Sequence, residues 1–266
     1  MPTCDTLIHN VQIFDGSGNE PQHGAVAIAD GRIQDVADLN DYSGAETLDG
    51  RGYALAPGFL DVHTHDDLYV IHEPEMLPKL SQGVTTVIVG NCGISAAPVR
   101  LSRELPDPMN LLGEANAFRY PTFAEYALAI TAARPTVNVA ALVGHTALRN
   151  NHMDRLDRAA TATEIAAMQK QLCEALDYGA VGLSTGLAYL SANSASIAEV
   201  QSLAKALSGT GAVYTSHLRS ESDQLLPALD EVFTVGRQSN VPVTASAVCL
   251  RGATPVVPKS NEPSRT

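Results

Sequence analysis

Two hydrophobic patterns divide the chain near residue 55. In residues 1–55, short segments of alternating apolar and polar residues are separated by turn residues, as where Asp30-Gly31 precedes residues 32–36. Alternation is typical of half-buried strands, and Asp-Gly is a strong hairpin signal. This part is therefore predicted to form the N-terminal portion of a small β-subdomain of short antiparallel strands, with another turn at residues 47–50.

From residue 56 onward, short apolar runs alternate with helical patterns. The strand candidates are residues 56–65, 83–89, 137–143, 181–185, 212–217 and 241–243. Thr161 with Glu164 and Ser196 with Glu199 have the spacing of helix-capping boxes. The helices between the later strands are each predicted to end at a glycine: Gly179, Gly209 and Gly236. Residues 100–135 contain several prolines and are predicted to form a long loop and a short helix.

Apolar strands that alternate with helices indicate an α/β fold with a parallel sheet covered by helices. A (β/α)8 barrel and a doubly wound sheet both fit that description. Chemically active residues recur at the carboxyl ends of the strand candidates, which is where barrel enzymes place their active sites. A doubly wound sheet usually carries a glycine-rich phosphate loop after its first strand, and none follows residue 65. Residues 56–243 are thus predicted to form the first five to six β/α units of an incomplete TIM-type barrel.

Charge and composition narrow the function classes. The chain of 266 residues has a net charge of −12, which opposes nucleic-acid binding because phosphates need basic partners. Its first residues resemble no signal peptide, and no apolar run approaches the roughly 18 residues that span a bilayer. The cysteines lie far apart, so a reduced, cytoplasmic protein without a membrane segment is expected.

Two histidines close the first strand candidate of the barrel region. His63 and His65 are one residue apart and would share a face of a strand, so both imidazoles could reach one metal ion. Two polar residues on a surface strand are the simpler alternative. Further candidate groups follow the later strands: Cys92, His145, Ser184 and His217. Because parallel barrel strands deliver their last residues to one rim, these groups should converge, and thiolate with imidazole favours zinc.

The remaining histidines divide into two groups. His145 follows Val143-Gly144 and could either orient a ligand or pack inside the barrel, so both interpretations stay open. Four others lack a strand-end placement and are expected at the surface: His9, His23, His72 and His152.

Several motifs resemble the N-acyl-D-amino-acid deacylases, or D-aminoacylases, of the amidohydrolase superfamily. The segment Pro-Gly-Phe-Leu-Asp-Val-His-Thr-His-Asp-Asp at residues 57–67 and the segment around Gly-Asn-Cys-Gly at residues 90–93 carry most of the likeness. Residues 182–187 and 216–219 match the same family. The resemblance runs from the N-terminus to about Val243 and thus covers only the N-terminal half of the family's length.

The resemblance implies a zinc-dependent hydrolase that cleaves the amide bond of a small-molecule substrate, an N-acyl-D-amino acid. Cys92 and His217 would hold the tightly bound zinc, and His63 and His65 would belong to a second, weaker metal position. Many relatives instead use a lysine at the fourth strand end, where this chain has Gly-Leu-Ser-Thr-Gly. The absence of that lysine fits a cysteine-dependent site.

The C-terminal tail departs from the family pattern. The family has a metal-binding histidine on its sixth strand, where this chain has Ala247, and the general-base aspartate is expected beyond the C-terminus. Residues 244–266 are proline-rich and carry excess positive charge, so they are expected to be a divergent or frameshifted tail. An incomplete barrel exposes strand edges and apolar surface, so the chain alone is expected to be poorly soluble and inactive.

Three interpretations of function therefore remain. The first is a deacylase by descent with an incomplete zinc site. The second is another amidohydrolase, such as a dihydropyrimidinase-like enzyme, which would need the bridging lysine. The third is a metal-binding remnant without catalysis.

Overall fold

The computed structural model describes residues 2–37 and 41–246, which form two compact units that divide at Phe59. Ala247, Cys249 and most of the predicted tail lie outside the described residues.

The first unit is a small β-sheet. Its strands are β1 (Thr3–Ile13), β2 (Gln22–Ala29), β3 (Arg32–Ala37), β4 (Ser43–Asp49) and β5 (Ala54–Leu55). The order is β3-β2-β1-β4, with β5 also paired to β1. The predicted Asp30-Gly31 hairpin joins β2 to the antiparallel β3. A core of its own includes Cys4, Leu7, Ala25 and Ala27.

Two predictions for this unit are wrong. β4 and β5 run parallel to β1, so the sheet is mixed rather than purely antiparallel. Thr47, Leu48 and Asp49 continue β4 instead of turning, because they pair with residues 7–9 of β1. The turn comes later, where the amide of Tyr53 donates to the carbonyl of Gly50 at 2.9 Å.

The second unit contains seven strand segments alternating with helices. The strands are β6 (Phe59–Asp61), β7 (Val84–Val89), β8 (Asn138–Ala141), β9 (Val143–Gly144), β10 (Gly182–Gly186), β11 (Val213–His217) and β12 (Val243–Ser246). They pair in chain order, as β6-β7-β8 and β9-β10-β11-β12. The pairs from β7 to β8 and from β9 to β12 are parallel. Sequential parallel order is that of a barrel wall and excludes the doubly wound alternative, in which the order reverses.

The third predicted strand, residues 137–143, is interrupted at Leu142. The Leu142 amide donates to the Val89 carbonyl at 3.0 Å, and the Val181 amide donates to the Ala141 carbonyl at 2.9 Å. The interrupted strand therefore connects β7 on one side with the β10 region on the other. Together the strand segments form part of a barrel wall.

Helices cover this wall. They are α1 (Tyr69–His72), α2 (Leu77–Leu80), α3 (Phe123–Ala133), α4 (His145–His152), α5 (Ala162–Asp177), α6 (Leu190–Asn193), α7 (Ile197–Lys205) and α8 (Leu225–Ser239). Short 3-10 turns at Met109–Leu111 and Ala115–Ala117 lie in the long loop that the prolines predicted. The core between strands and helices includes Val87, Leu183 and Tyr214 from the sheet, and Leu172, Leu203 and Val232 from the helices.

The capping predictions hold in part. Thr161 and Glu164 form a complete capping box at α5. At α7 the Ser196 hydroxyl accepts from the Glu199 amide, but the Glu199 side chain is used elsewhere. The prediction that the last helix ends at Gly236 is wrong: α8 continues to Ser239, and Asn240 ends it in the left-handed conformation. A side chain at Gly236 would collide with Val243, so this glycine provides close packing rather than a helix end.

No helix within residues 2–37 and 41–246 is both long and apolar enough to cross a bilayer.

Candidate metal centre

His63 and His65 follow β6 rather than ending it, since the strand stops at Asp61. Their rings are nevertheless close, with centroids 5.7 Å apart and planes perpendicular. Nε2 of His63 lies 3.1 Å from Sγ of Cys92. One ligand atom from each of these three residues lies within 4.8 Å of the others. The structure thus brings together three of the four predicted ligands.

Cys92 is placed by an unusual backbone. Its φ is 55°, in the left-handed region, and its neighbours Gly90 and Gly93 have φ values of 78° and 76°. A Cβ on Gly90 would lie 2.2 Å from the carbonyl oxygen of Leu142, and one on Gly93 would lie 2.5 Å from the amide of Gly186. Glycine is therefore required on both sides of Cys92 for conformation and for space. The result is a tight turn that directs a buried thiol toward His63.

Two buried side chains hold this turn. Ser184 accepts from the Gly93 amide at 3.0 Å, and its hydroxyl donates to the Gly90 carbonyl. Asp67 accepts from the amides of Gly90 and Ala96 at 3.2 and 3.1 Å. Burial raises the pKa of Asp67 to about 7 against these hydrogen bonds. Ser184, predicted among the groups at the rim, therefore supports the cysteine turn instead of facing the ligand atoms.

The candidate ligands are held in their uncharged forms. Burial is the main cause that lowers the pKa values of His63 and His65, so both imidazoles keep a free lone pair at neutral pH. Burial likewise raises the pKa of the Cys92 thiol to about 11. Nδ1 of His65 is buried and has no hydrogen-bond partner within the described structure. A buried ring nitrogen without a partner, in a residue of the His63, His65 and Cys92 cluster, is consistent with a site that takes a cation.

His217, the fourth predicted ligand, ends β11 and lies near the other three without joining their group. Tyr189 lies close to both residues: its hydroxyl is 3.4 Å from Nδ1 of His217, and it lowers the pKa of the Cys92 thiol against the larger effect of burial. Burial raises the pKa of Tyr189 to about 12. Nε2 of His217 lies 3.2 Å from Oε1 of Glu221. Sequence reasoning missed Tyr189 and Glu221, which lie in loops after strands and carry no strand-end signal.

His145 belongs to a separate buried cluster. Its Nε2 lies 3.0 Å from Oε1 of Glu199, which is also paired with Arg149. All three side chains are inaccessible to solvent. The cluster joins α4 to α7, so the structure favours the packing interpretation of His145 over a role as metal ligand.

Of the histidines expected at the surface, His23 and His72 are exposed. His9 and His152 are half-buried, and His152 Nε2 lies 2.8 Å from Oε1 of Gln171.

A lysine on α2 borders the two histidines. Nζ of Lys79 lies 2.7 Å from Oδ2 of Asp61 and 3.0 Å from Oδ2 of Asp66. Burial lowers the pKa of Lys79, but the hydrogen bonds to these carboxylates outweigh it and raise the pKa above its ordinary value. Sequence reasoning also missed this residue.

Known proteins are similar to this chain over most of its length. The model of the amidohydrolase family matches residues 46–257. The chain belongs to the amidohydrolase family. The family match runs beyond residue 243, where the predicted tail begins.

Among amidohydrolases, the chain is 45% identical over 250 residues to N-acyl-D-aspartate deacylase of Alcaligenes xylosoxydans xylosoxydans, covering 94% of this chain and 50% of the relative. A D-aminoacylase crystal structure superposes with a TM-score of 0.88 at 42% identity, covering 91% of this chain and 51% of that one. N-acyl-D-glutamate deacylase of Bordetella bronchiseptica, solved with zinc and a phosphonate inhibitor, gives 0.86 at 41% identity, with coverage of 91% and 50%. The chain spans about half the length of these relatives.

Proposed function

We propose that this amidohydrolase chain binds zinc and serves the hydrolysis of the amide bond of N-acyl-D-amino acids. The convergence of His63, His65 and Cys92 carries the proposal, because their ligand atoms lie within 4.8 Å of one another. Relatives with 41–45% identity that are named as deacylases of N-acyl-D-aspartate and N-acyl-D-glutamate support the reaction class.

The donor set fits zinc. Two neutral imidazoles and one cysteine sulfur are borderline-soft ligands, and the unpaired Nδ1 of His65 supplies a free lone pair. Cys92 must lose its proton to bind, and its high pKa in the metal-free protein means that binding releases this proton. His217 is the proposed fourth ligand. If its Nδ1 binds the metal, Tyr189 must give up its contact with that nitrogen. Otherwise Nε2 of His217 binds the metal. A bound zinc ion would supply an activated water and a polarised amide carbonyl.

The remaining residues set the surroundings of the substrate. The Tyr189 hydroxyl stays protonated at neutral pH and can donate a hydrogen bond toward the space between Cys92 and His217. Oε1 of Glu221 lies 3.2 Å from Nε2 of His217 without hydrogen-bonding it, so Glu221 acts on this imidazole through its charge. Ser184 and Asp67 are buried and hold the cysteine turn through hydrogen bonds to its backbone.

The test joins residues 1–246 to the C-terminal half of N-acyl-D-aspartate deacylase. Zinc content and release of the free amino acid are measured with N-acetyl-D-aspartate, N-acetyl-D-glutamate and N-acetyl-D-leucine, each against its L-enantiomer. We expect hydrolysis of D-substrates only, and its loss on Cys92→Ala in the same fusion. The 266-residue chain alone is assayed in parallel.

Each result separates the interpretations. A fusion that folds and holds zinc but cleaves none of the D-substrates would overturn the proposed reaction. Cleavage of dihydrouracil in its place would support a dihydropyrimidinase-like enzyme, and zinc binding with no turnover on either class would support a non-catalytic site. Turnover by the 266-residue chain alone would show that its own strands suffice for activity. The proposed reaction would stay the same.

A further inference from the structure

The histidine segment is held by one side chain from outside it. Besides its contacts with Asp61 and Asp66, Nζ of Lys79 donates to Oγ1 of Thr64 at 3.2 Å. Asp61 in turn accepts from the backbone amide of His63 at 3.2 Å, and the Thr64 hydroxyl donates to Asp66. The Lys79 ammonium group therefore contacts Asp61 before the two histidines, Thr64 between them and Asp66 after them.

Few backbone bonds compete with this contact. The segment lies after β6, and the amide of Thr64 makes only a long bond of 3.4 Å to the Ile88 carbonyl. Lys79 itself stands on α2, whose last residues hydrogen-bond back to Met76 at 2.9 Å. α2 leads directly into β7, so Lys79 is fixed to the wall of the barrel rather than to the histidine segment. Its side chain is only 21% exposed.

The electrostatics point the same way. Asp61 and Asp66 are two carboxylates that share one cation, and without it their charges would repel across a half-buried gap. Lys79 brings the two ends of the segment together by satisfying both. The imidazoles between those ends gain a fixed orientation from this arrangement.

We propose that Lys79 is a positioning residue of the metal centre, which holds His63 and His65 in the geometry that receives the metal. The proposal rests on the zinc site proposed above. It is distinct from a general contribution to stability, because an ion pair that only stabilised the fold would lower the Tm on removal and leave the zinc affinity of the folded protein unchanged.

The experiment compares Lys79→Met, Lys79→Arg and wild type, with Lys170→Met as the matched control. Lys170 is an exposed lysine on α5 with only a 3.9 Å contact to Glu174. The zinc Kd is measured by competition with a chromophoric chelator, and the Tm of the metal-free proteins checks folding. We expect Lys79→Met to weaken zinc binding about 10- to 100-fold, as loss of groups that orient metal ligands does elsewhere. Lys79→Arg should recover most of the affinity, and Lys170→Met should match wild type.

Cobalt provides a second readout that does not depend on activity. The sulfur-to-cobalt absorption band reports Cys92 and should persist in Lys79→Met, whereas the ligand-field bands should change as imidazole binding weakens. A folded Lys79→Met protein with a zinc Kd within about twofold of wild type and an unchanged cobalt spectrum would overturn the proposal.

Two further variants cover the case in which Lys79→Met does not fold. Asp61→Asn and Asp66→Asn each remove one anchor of the ammonium and should each weaken zinc binding by less than the lysine substitution. Unchanged affinity in both would also refute the role of Lys79. A wrong zinc-site proposal would be recognised separately, because the wild type would then bind no zinc. A wrong deacylase proposal would not change the zinc affinities of these variants.

Discussion

At the scale of single residues, Cys92 combines a strained backbone with a buried thiol. A non-glycine residue at φ 55° is uncommon, and here it is enforced by glycines that approach Leu142 and Gly186 too closely for any side chain. The turn is thus built around the sulfur. The positions of the His63 and His65 imidazoles, by contrast, depend on the side chains that contact their segment.

Removing the sulfur should empty the centre without unfolding the protein. We expect Cys92→Ala to reduce bound zinc from about one ion per chain to a small fraction, because imidazoles alone bind less tightly than a set with thiolate. His217→Ala should act similarly if His217 is the fourth ligand. Metal content is measured by atomic emission after dialysis.

His72→Ala is the control, since His72 is exposed and lies outside the cluster. Unchanged zinc content in Cys92→Ala would refute the role of Cys92 as a ligand. Unchanged content in His217→Ala alone would restrict the site to the three residues that already lie together.

The sequence predicted which residues cluster at the candidate site better than it predicted the side chains around them. His63, His65 and Cys92 follow strands, and parallel strands deliver such residues to one rim. The same rule also selected His145 and Ser184, whose side chains contact Glu199 and the cysteine turn instead. A strand end determines where a residue lies but not where its side chain points. Lys79 and Tyr189 lie on helix and loop, so only the folded arrangement brings them to the site.

At the scale of elements, the buried Glu199 links the amino end of α7 to α4. Burial alone would raise its pKa, but hydrogen bonds from His145 and the Ala160 amide, with the charge of Arg149, lower it to about 2. Burial also lowers the pKa of His145. Capping-box spacing predicted the start of α7 correctly but could not reveal that its glutamate serves this cluster, since the partners are 50 and 54 residues away.

The charge of Glu199 should make stability depend on acid pH. A carboxyl group whose pKa falls from 4.5 to about 2 on folding contributes stability above pH 4.5 that is lost as the pH drops toward 2. The neutral His145 contributes a separate loss that begins as the pH falls below about 6.5, because its pKa is lowered in the folded protein and it gains a proton on unfolding. Over this range wild type should lose about 3 kcal/mol through Glu199, measured by urea unfolding at successive pH values.

Glu199→Gln tests the assignment. At pH 7 it should destabilise the protein by about 3–5 kcal/mol, because Arg149 keeps a buried, unpaired charge. Its stability should then fall less steeply than that of wild type below pH 4.5. Glu174→Gln, on the exposed surface of α5, should leave the slope unchanged. If the free energy of unfolding falls equally steeply with pH in wild type and Glu199→Gln, this carboxylate is not the source of the acid dependence.

At the scale of the whole molecule, the strands form part of a barrel wall in chain order. The alternation of strands and helices predicted a parallel sheet, and the chemically active residues at the strand ends favoured a barrel over a doubly wound sheet. The interruption at Leu142 was not predictable, since it depends on hydrogen bonds to Val89 and from the Val181 region. Within the described residues, β6 and β12 each have a strand neighbour on one side only.

A sheet edge that has no strand partner among residues 2–37 and 41–246, and that carries apolar side chains, should promote self-association. Leu60 on β6 is 61% exposed and Val62 just beyond it is 59% exposed. Unpaired edge strands recruit further strands, and burying each such side chain contributes about 1.5–3 kcal/mol. We expect the zinc-free 266-residue chain to form concentration-dependent oligomers in sedimentation velocity, and Leu60→Lys to shift it toward monomer by placing a charge at the edge. Leu128→Lys, at a position on α3 that is 70% exposed, should leave the distribution unchanged because a helix surface offers no unpaired backbone. A wild-type chain that stays monomeric at all concentrations, or a Leu60→Lys chain that associates equally, would show that this edge is not adhesive.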